Sequence, residues 1–161
     1  MENNDILIRL RYALNLKNQE MKEIFKLGGK EFTQEEILKI LTKTSEEETD
    51  DSQLKVNDKM MAFFLNGLVT FKRGKQDPKP GQAPEAPQVK EHVNNMLLKK
   101  VKVALQLTTE DMLDILDDGG IAVSKGELGA ILRKAGHRNY KECGDNFARK
   151  FLKGLTIRLR G

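Results

Sequence analysis

Residues 73–91 read RGKQDPKPGQAPEAPQVKE and contain all four prolines of the chain, Pro78, Pro80, Pro84 and Pro87. Almost nothing in this stretch can join a core. Closely spaced prolines favour extended, polyproline-like backbone, so it reads as a semi-rigid spacer. Its meaning comes from its flanks, because related text stands on both sides. Asn3 set against Asn94 opens a match that runs 41 positions without a gap. In it Ala13-Leu14 meets Ala104-Leu105, Met21 meets Met112, Gly28-Gly29 meets Gly119-Gly120 and Ile40-Leu41 meets Ile131-Leu132. After a loop four residues shorter in the second copy, Asp58 meets Asp145, Phe64-Leu65 meets Phe151-Leu152 and Arg73-Gly74 meets Arg160-Gly161. Two copies at so long a period predict a pseudo-symmetric pair rather than a solenoid. The expected organisation is a first repeat over 1–74, a Pro-rich linker over 75–91 and a second repeat over 92–161.

Within each copy the apolar residues recur at helical spacing. Leu7, Leu10 and Leu14 form one stripe, repeated by Leu98, Val101 and Leu105. The second helix starts near Asn18 and near Thr109, with Thr108 and Asp111 able to form a capping box in the second copy. The first copy has Lys17 at the cap position, which leaves Asn18 to take over. The glycine pairs Gly28-Gly29 and Gly119-Gly120 fit helix termination. Thr33 with Glu36, and Ser124 with Glu127, read as capping boxes that open the third helix, stapled by Phe32–Ile37 and Val123–Leu128. Thr44 to Ser52, TSEEETDDS, reads as a solvated acidic loop. A fourth helix closes each copy, over about 56–72 and 144–160. The prediction is all-α: a tandem duplication of a four-helix unit with approximate pseudo-twofold symmetry.

The two closing helices differ. In the second copy Phe147, Ala148, Phe151, Leu152, Leu155 and Leu159 share one face, opposite Arg149, Lys153 and Arg160. In the first, Phe63 and Phe71 stand where the second has Lys150 and Arg158, which makes that helix apolar nearly all round. A helix apolar on every side is expected to be buried on every side, between the copies or in a homodimer interface. Met60, Phe63 and Phe71 are therefore the candidate interaction surface.

Three of these motifs also carry a resemblance. The opening NNDILIRLRYAL, the FLNGLVTFKRG that ends the first copy and the ECGDNFARKFLKGL of the second resemble the YehS-like family, small bacterial proteins with a duplicated domain of unknown function. The resemblance covers nearly all of the chain outside the linker. It implies a helical tandem repeat in a bacterial cytosol, and it carries no catalytic residues.

Composition narrows the classes of function. No apolar run approaches the roughly 18 residues of a membrane span, and the N-terminus has no signal-peptide character. Cys143 is the only cysteine, which excludes an intramolecular disulfide framework and suits a reducing, cytoplasmic setting. The net charge of +4 is uneven: residues 1–74 carry 12 basic and 13 acidic groups, and residues 91–161 carry 13 and 9.

Catalytic and metal chemistry find little support in the sequence. His137 and Cys143 are the only neighbours that suggest a nucleophile and a base, and they lack an orienting acid. Two histidines, His92 and His137, with one cysteine match no ligand spacing. The stretch from Asp114 resembles a calcium loop until Leu116 and Lys125 fall on ligand positions. No catalytic residue, metal ligand or cofactor is therefore assigned. Lys99, Lys100, Lys102, Arg149, Lys150, Lys153, Arg158 and Arg160 are candidate contacts to nucleic acid or another anionic partner. A helix-turn-helix is disfavoured by the six residues from Asp118 to Val123, longer than the usual turn, and aromatic stacking platforms are missing. The reading is a non-enzymatic protein-interaction or structural module, through a protein partner or self-association. The alternative is a nucleic-acid binder that uses the basic face of the second repeat.

Overall fold

Eight helices and no strand make up the described residues of the computed structural model, 2–42, 54–74, 92–133 and 136–160. The first repeat holds α1 (Asn3–Leu14), α2 (Asn18–Gly28), α3 (Gln34–Ile40) and α4 (Asp58–Arg73). The second holds α5 (Val93–Ala104), α6 (Thr109–Asp118), α7 (Lys125–Leu132) and α8 (Asp145–Arg160) in the same order. The chain is thus all-α and a tandem duplication. The acidic segment 44–52 and the Pro-rich linker 75–91 lie outside the described residues.

Local chemistry explains most of the helix starts. Thr33 accepts from the Glu36 N–H while the Glu36 carboxylate accepts from the Thr33 N–H, a complete capping box. Thr108 and Asp111 repeat it before α6. Ser124 makes the forward half of the motif, accepting from the Glu127 N–H. Asn18 does not take over the cap of α2. Lys17 stays at that position with its N–H donated to Glu20, and the Asn18 side-chain Oδ1 accepts from Arg11 Nε instead.

A pair of asparagines anchors the first helix of each repeat. The Asn4 side chain, 2% exposed, donates to the carbonyls of Ile40 and Leu54 and accepts from the Val56 N–H. Its neighbour Asn3 donates to the Val56 carbonyl and to Asp58. Asn95 and Asn94 repeat every one of these bonds with Ile131, Lys141, Cys143 and Asp145. One buried amide therefore ties the start of the first helix to the end of the third and to the extended segment before the fourth.

The glycines show a different kind of duplication. Gly29 and Gly120 have φ of 110° and 100° and end their helices, as expected. Gly28 and Gly119 do another job. A Cβ on Gly28 would land on the Phe63 carbonyl, and one on Gly67 would land on the Ile24 carbonyl, so the backbones of α2 and α4 touch where they cross. Gly119 and Gly154 do the same for α6 and α8, against the carbonyls of Lys150 and Ile115.

The repeats are not two separate bundles. α4 packs on α2 of its own repeat and on α5 of the other, and α8 packs on α6 and on α1 of the other. The buried apolar residues of both repeats form one continuous cluster. Each closing helix is thus covered from two sides, which for α4 replaces the expected burial all round. Met60 and Phe71 are half-buried at the edge of the core, and the half-buried Phe63 lies against Gly29 of its own repeat with Lys59 over its ring. Leu159 leaves the predicted buried face and is 46% exposed.

Candidate binding groove between the repeats

The two junctions between repeats differ in chemistry. Val93 and Met96 of α5 are buried where the first repeat has Glu2, just before α1, and Asp5 in it, and Ala62 of α4 is buried where α8 carries the exposed Arg149. The α4–α5 contact is accordingly the more extensive. Along the α1–α8 contact the surface stays open, as a groove of about 560 Å³. Its apolar lining comes from Ile8 and Tyr12 on α1 and from Leu152 and Ile157 on α8. Leu152 is buried at the bottom, whereas Tyr12 and Ile157 are 56% and 44% exposed. Arg9, Arg149, Lys150 and Lys153 complete the lining with Asn146 and Thr156, and no carboxylate belongs to it.

The eight cations singled out from the sequence fall into three groups. Arg149, Lys150 and Lys153 line the groove. Arg158 is held by Asp111 at 2.8 Å. The Thr108 N–H and hydroxyl keep the Asp111 carboxyl below its ordinary pKa, with Arg158 adding to the effect. Arg160 donates from one Nη to the Tyr12 carbonyl and to Asn15 Oδ1, both at 3.1 Å, with its guanidinium 4.3 Å from the Tyr12 ring centroid. Lys99, Lys100 and Lys102 are half-buried on α5 and do not line the groove, and Lys99 rests over the Tyr140 ring. The expected single basic face of the second repeat is therefore divided.

Six of the ten lining residues, Ile8, Arg9, Tyr12, Asn146, Thr156 and Ile157, are not singled out by sequence reasoning. Ile8, Arg9 and Tyr12 of α1 carry no assignment from sequence. The missing information was pairing: helical periodicity shows which face of α1 is apolar, not that α8 of the other repeat runs beside it. Tyr12 carried the one available signal, an aromatic next to basic residues off the apolar stripe.

The remaining candidates are occupied elsewhere. Cys143 is 1% exposed, and burial, reinforced by the charge of Asp145, pushes its thiol up to about 12. His137 is exposed; its Nδ1 accepts from the Asn139 N–H, and its Nε2 lies 3.5 Å from Arg133. His92 caps α5, accepting from the Asn94 N–H. Among the described residues no cluster of three metal-ligating side chains occurs, and no helix is long and apolar enough to cross a membrane.

Comparison with known proteins agrees with the duplication. A family described as "Protein of unknown function (DUF1456)" matches twice, over residues 3–74 and 94–161. The chain is 40% identical to the uncharacterized protein YehS of Escherichia coli (strain K12) over 158 residues, 98% of this chain and 96% of that protein. No solved structure matches. On both the doubled family match and this identity along nearly the whole length, the chain belongs to the DUF1456 family.

Proposed function

We propose that the protein is a non-enzymatic binding module that holds an anionic partner in the groove between α1 and α8. The observation that carries this reading is a groove lined by four cations and no carboxylate, over an apolar floor built from both repeats. Cations at an open rim attract and orient a negatively charged partner, and desolvated apolar contacts beneath them hold it. The lone cysteine supports the non-enzymatic part, because a buried thiol with a raised pKa is a poor nucleophile.

The test is a charge reversal, Arg149→Glu with Lys153→Glu, at two exposed positions. Binding of polyglutamate, heparin and single-stranded DNA is measured by fluorescence anisotropy at low and moderate salt. The polyanion that binds the native protein best should lose at least about tenfold in affinity in the variant, and more of it at low salt. Equal binding by the two proteins, both with native helical circular dichroism, would remove the groove from the function.

A further inference from the structure

We infer that the occupant of the α1–α8 groove is an acidic amphipathic helix of a protein partner. This inference rests on the binding reading above and specifies the partner's chemistry. The groove is long and shallow. Its lining on α8 runs from Asn146 to Ile157, about 16 Å of helix axis at 1.5 Å per residue, the length of roughly three helical turns. On α8 the cations Arg149, Lys150 and Lys153 flank Leu152 at the middle of that length, and Ile157 extends the apolar surface toward the C-terminal end. An occupant must then present an apolar stripe flanked by carboxylates, which one face of an amphipathic helix does.

Other occupants fit less well. A small ligand is normally enclosed over most of its surface, and here Tyr12 and Ile157 remain half open to solvent. A single-stranded nucleic acid needs aromatic faces for its bases. Tyr12 is the only aromatic ring in the lining, and the Arg160 guanidinium already lies over it. Leu152, Ile8 and Ile157 offer no hydrogen-bonding group to a base edge.

The experiment uses the full-length protein and three labelled probes. The first is a helical peptide of about 14 residues with leucines at i, i+3, i+4 and i+7 spacing and glutamates flanking the stripe. The second has the same composition with the leucines scattered, and the third is single-stranded DNA of matched charge. The striped peptide should bind at least about tenfold more tightly than either control. It should lose about tenfold on Arg149→Glu with Lys153→Glu, and a similar factor on Ile157→Asp, which leaves the cations in place. Equal binding of striped and scattered peptides, or no effect of Ile157→Asp, overturns the helical occupant while leaving an anionic partner. Tighter binding of DNA, displaced by neither peptide, assigns the groove to nucleic acid and also overturns it. Failure of all three probes to bind removes the binding reading itself.

Discussion

At the scale of single residues, the glycines divide by what surrounds them. Gly67 and Gly154 sit where helix backbones touch, so a methyl group there forces two helices apart. Gly67→Ala should cost more than about 3 kcal/mol, the range of overpacked cores and severe single mutations. Gly129 lies in the middle of α7 with open space around it. Gly129→Ala should stabilise by about 0.5–1 kcal/mol through helix propensity. Urea denaturation of the two variants checks both signs. Cys143 makes a second prediction. Its folded-state pKa is raised to about 12 by burial first and by Asp145 second. The resulting stability is fully present below the unfolded thiol's pKa of about 8.5, and is lost as pH rises toward the folded value. Iodoacetamide at pH 8 should label the native protein far more slowly than the urea-unfolded chain. The excess stability of native protein over Cys143→Ala should shrink above pH 9. Rapid native labelling would mean the thiol is accessible.

At the scale of elements, the sequence was most informative where chemistry is local. The Thr33 and Thr108 boxes could be read from four residues each, because a capping box is completed within one turn. The first glycine of each pair does stand at a helix end, as read, but that is not its whole role. Its true constraint is a carbonyl more than thirty residues away in the chain, which no local pattern reveals. The doubled asparagines were visible as matched letters, but their role needs the loop carbonyls that they bind. Removing one tests that role. Asn95→Ala leaves the Ile131 and Lys141 carbonyls and the Cys143 N–H without their amide partner. The expected loss is on the order of 2–3 kcal/mol, since buried polar groups left unpaired cost about 1–3 kcal/mol each and water reaches some of them. Asn4→Ala should cost a similar amount, because the bonds are the same. A loss under about 0.5 kcal/mol in thermal or urea unfolding would show that the amides are not structural ties.

At the scale of the whole molecule, the repeats are held together by exchange of neighbours. Each fourth helix finds half of its cover on the first helix of the other repeat. Duplication was plain from the text, yet the sharing of one core was not, because aligned copies look the same whether they stand apart or interlock. The phenylalanines illustrate the difference. Phe63 and Phe71 pointed to an interface, and α4 does lie at one, but the buried residues of α4 are Met61, Ala62, Phe64, Leu65, Gly67 and Leu68. The groove is also a property of this scale, existing only where helices from both halves meet.

That exchange carries a consequence for how such a chain could have arisen. A single repeat presents a first helix and a fourth helix, each lacking its cover, and a second identical copy supplies both at once. Two copies related by a rotation of half a turn would close with no surface left over, the isologous arrangement of a simple homodimer. Residues 1–74 produced alone should therefore sediment as a helical dimer, and a folded monomer in the ultracentrifuge would refute this. Joining the copies in one gene removes the concentration dependence of such a dimer. It also lets the two formerly identical seams be edited separately. One is now the apolar seam of α4 and α5, and the other carries cations beside an open groove.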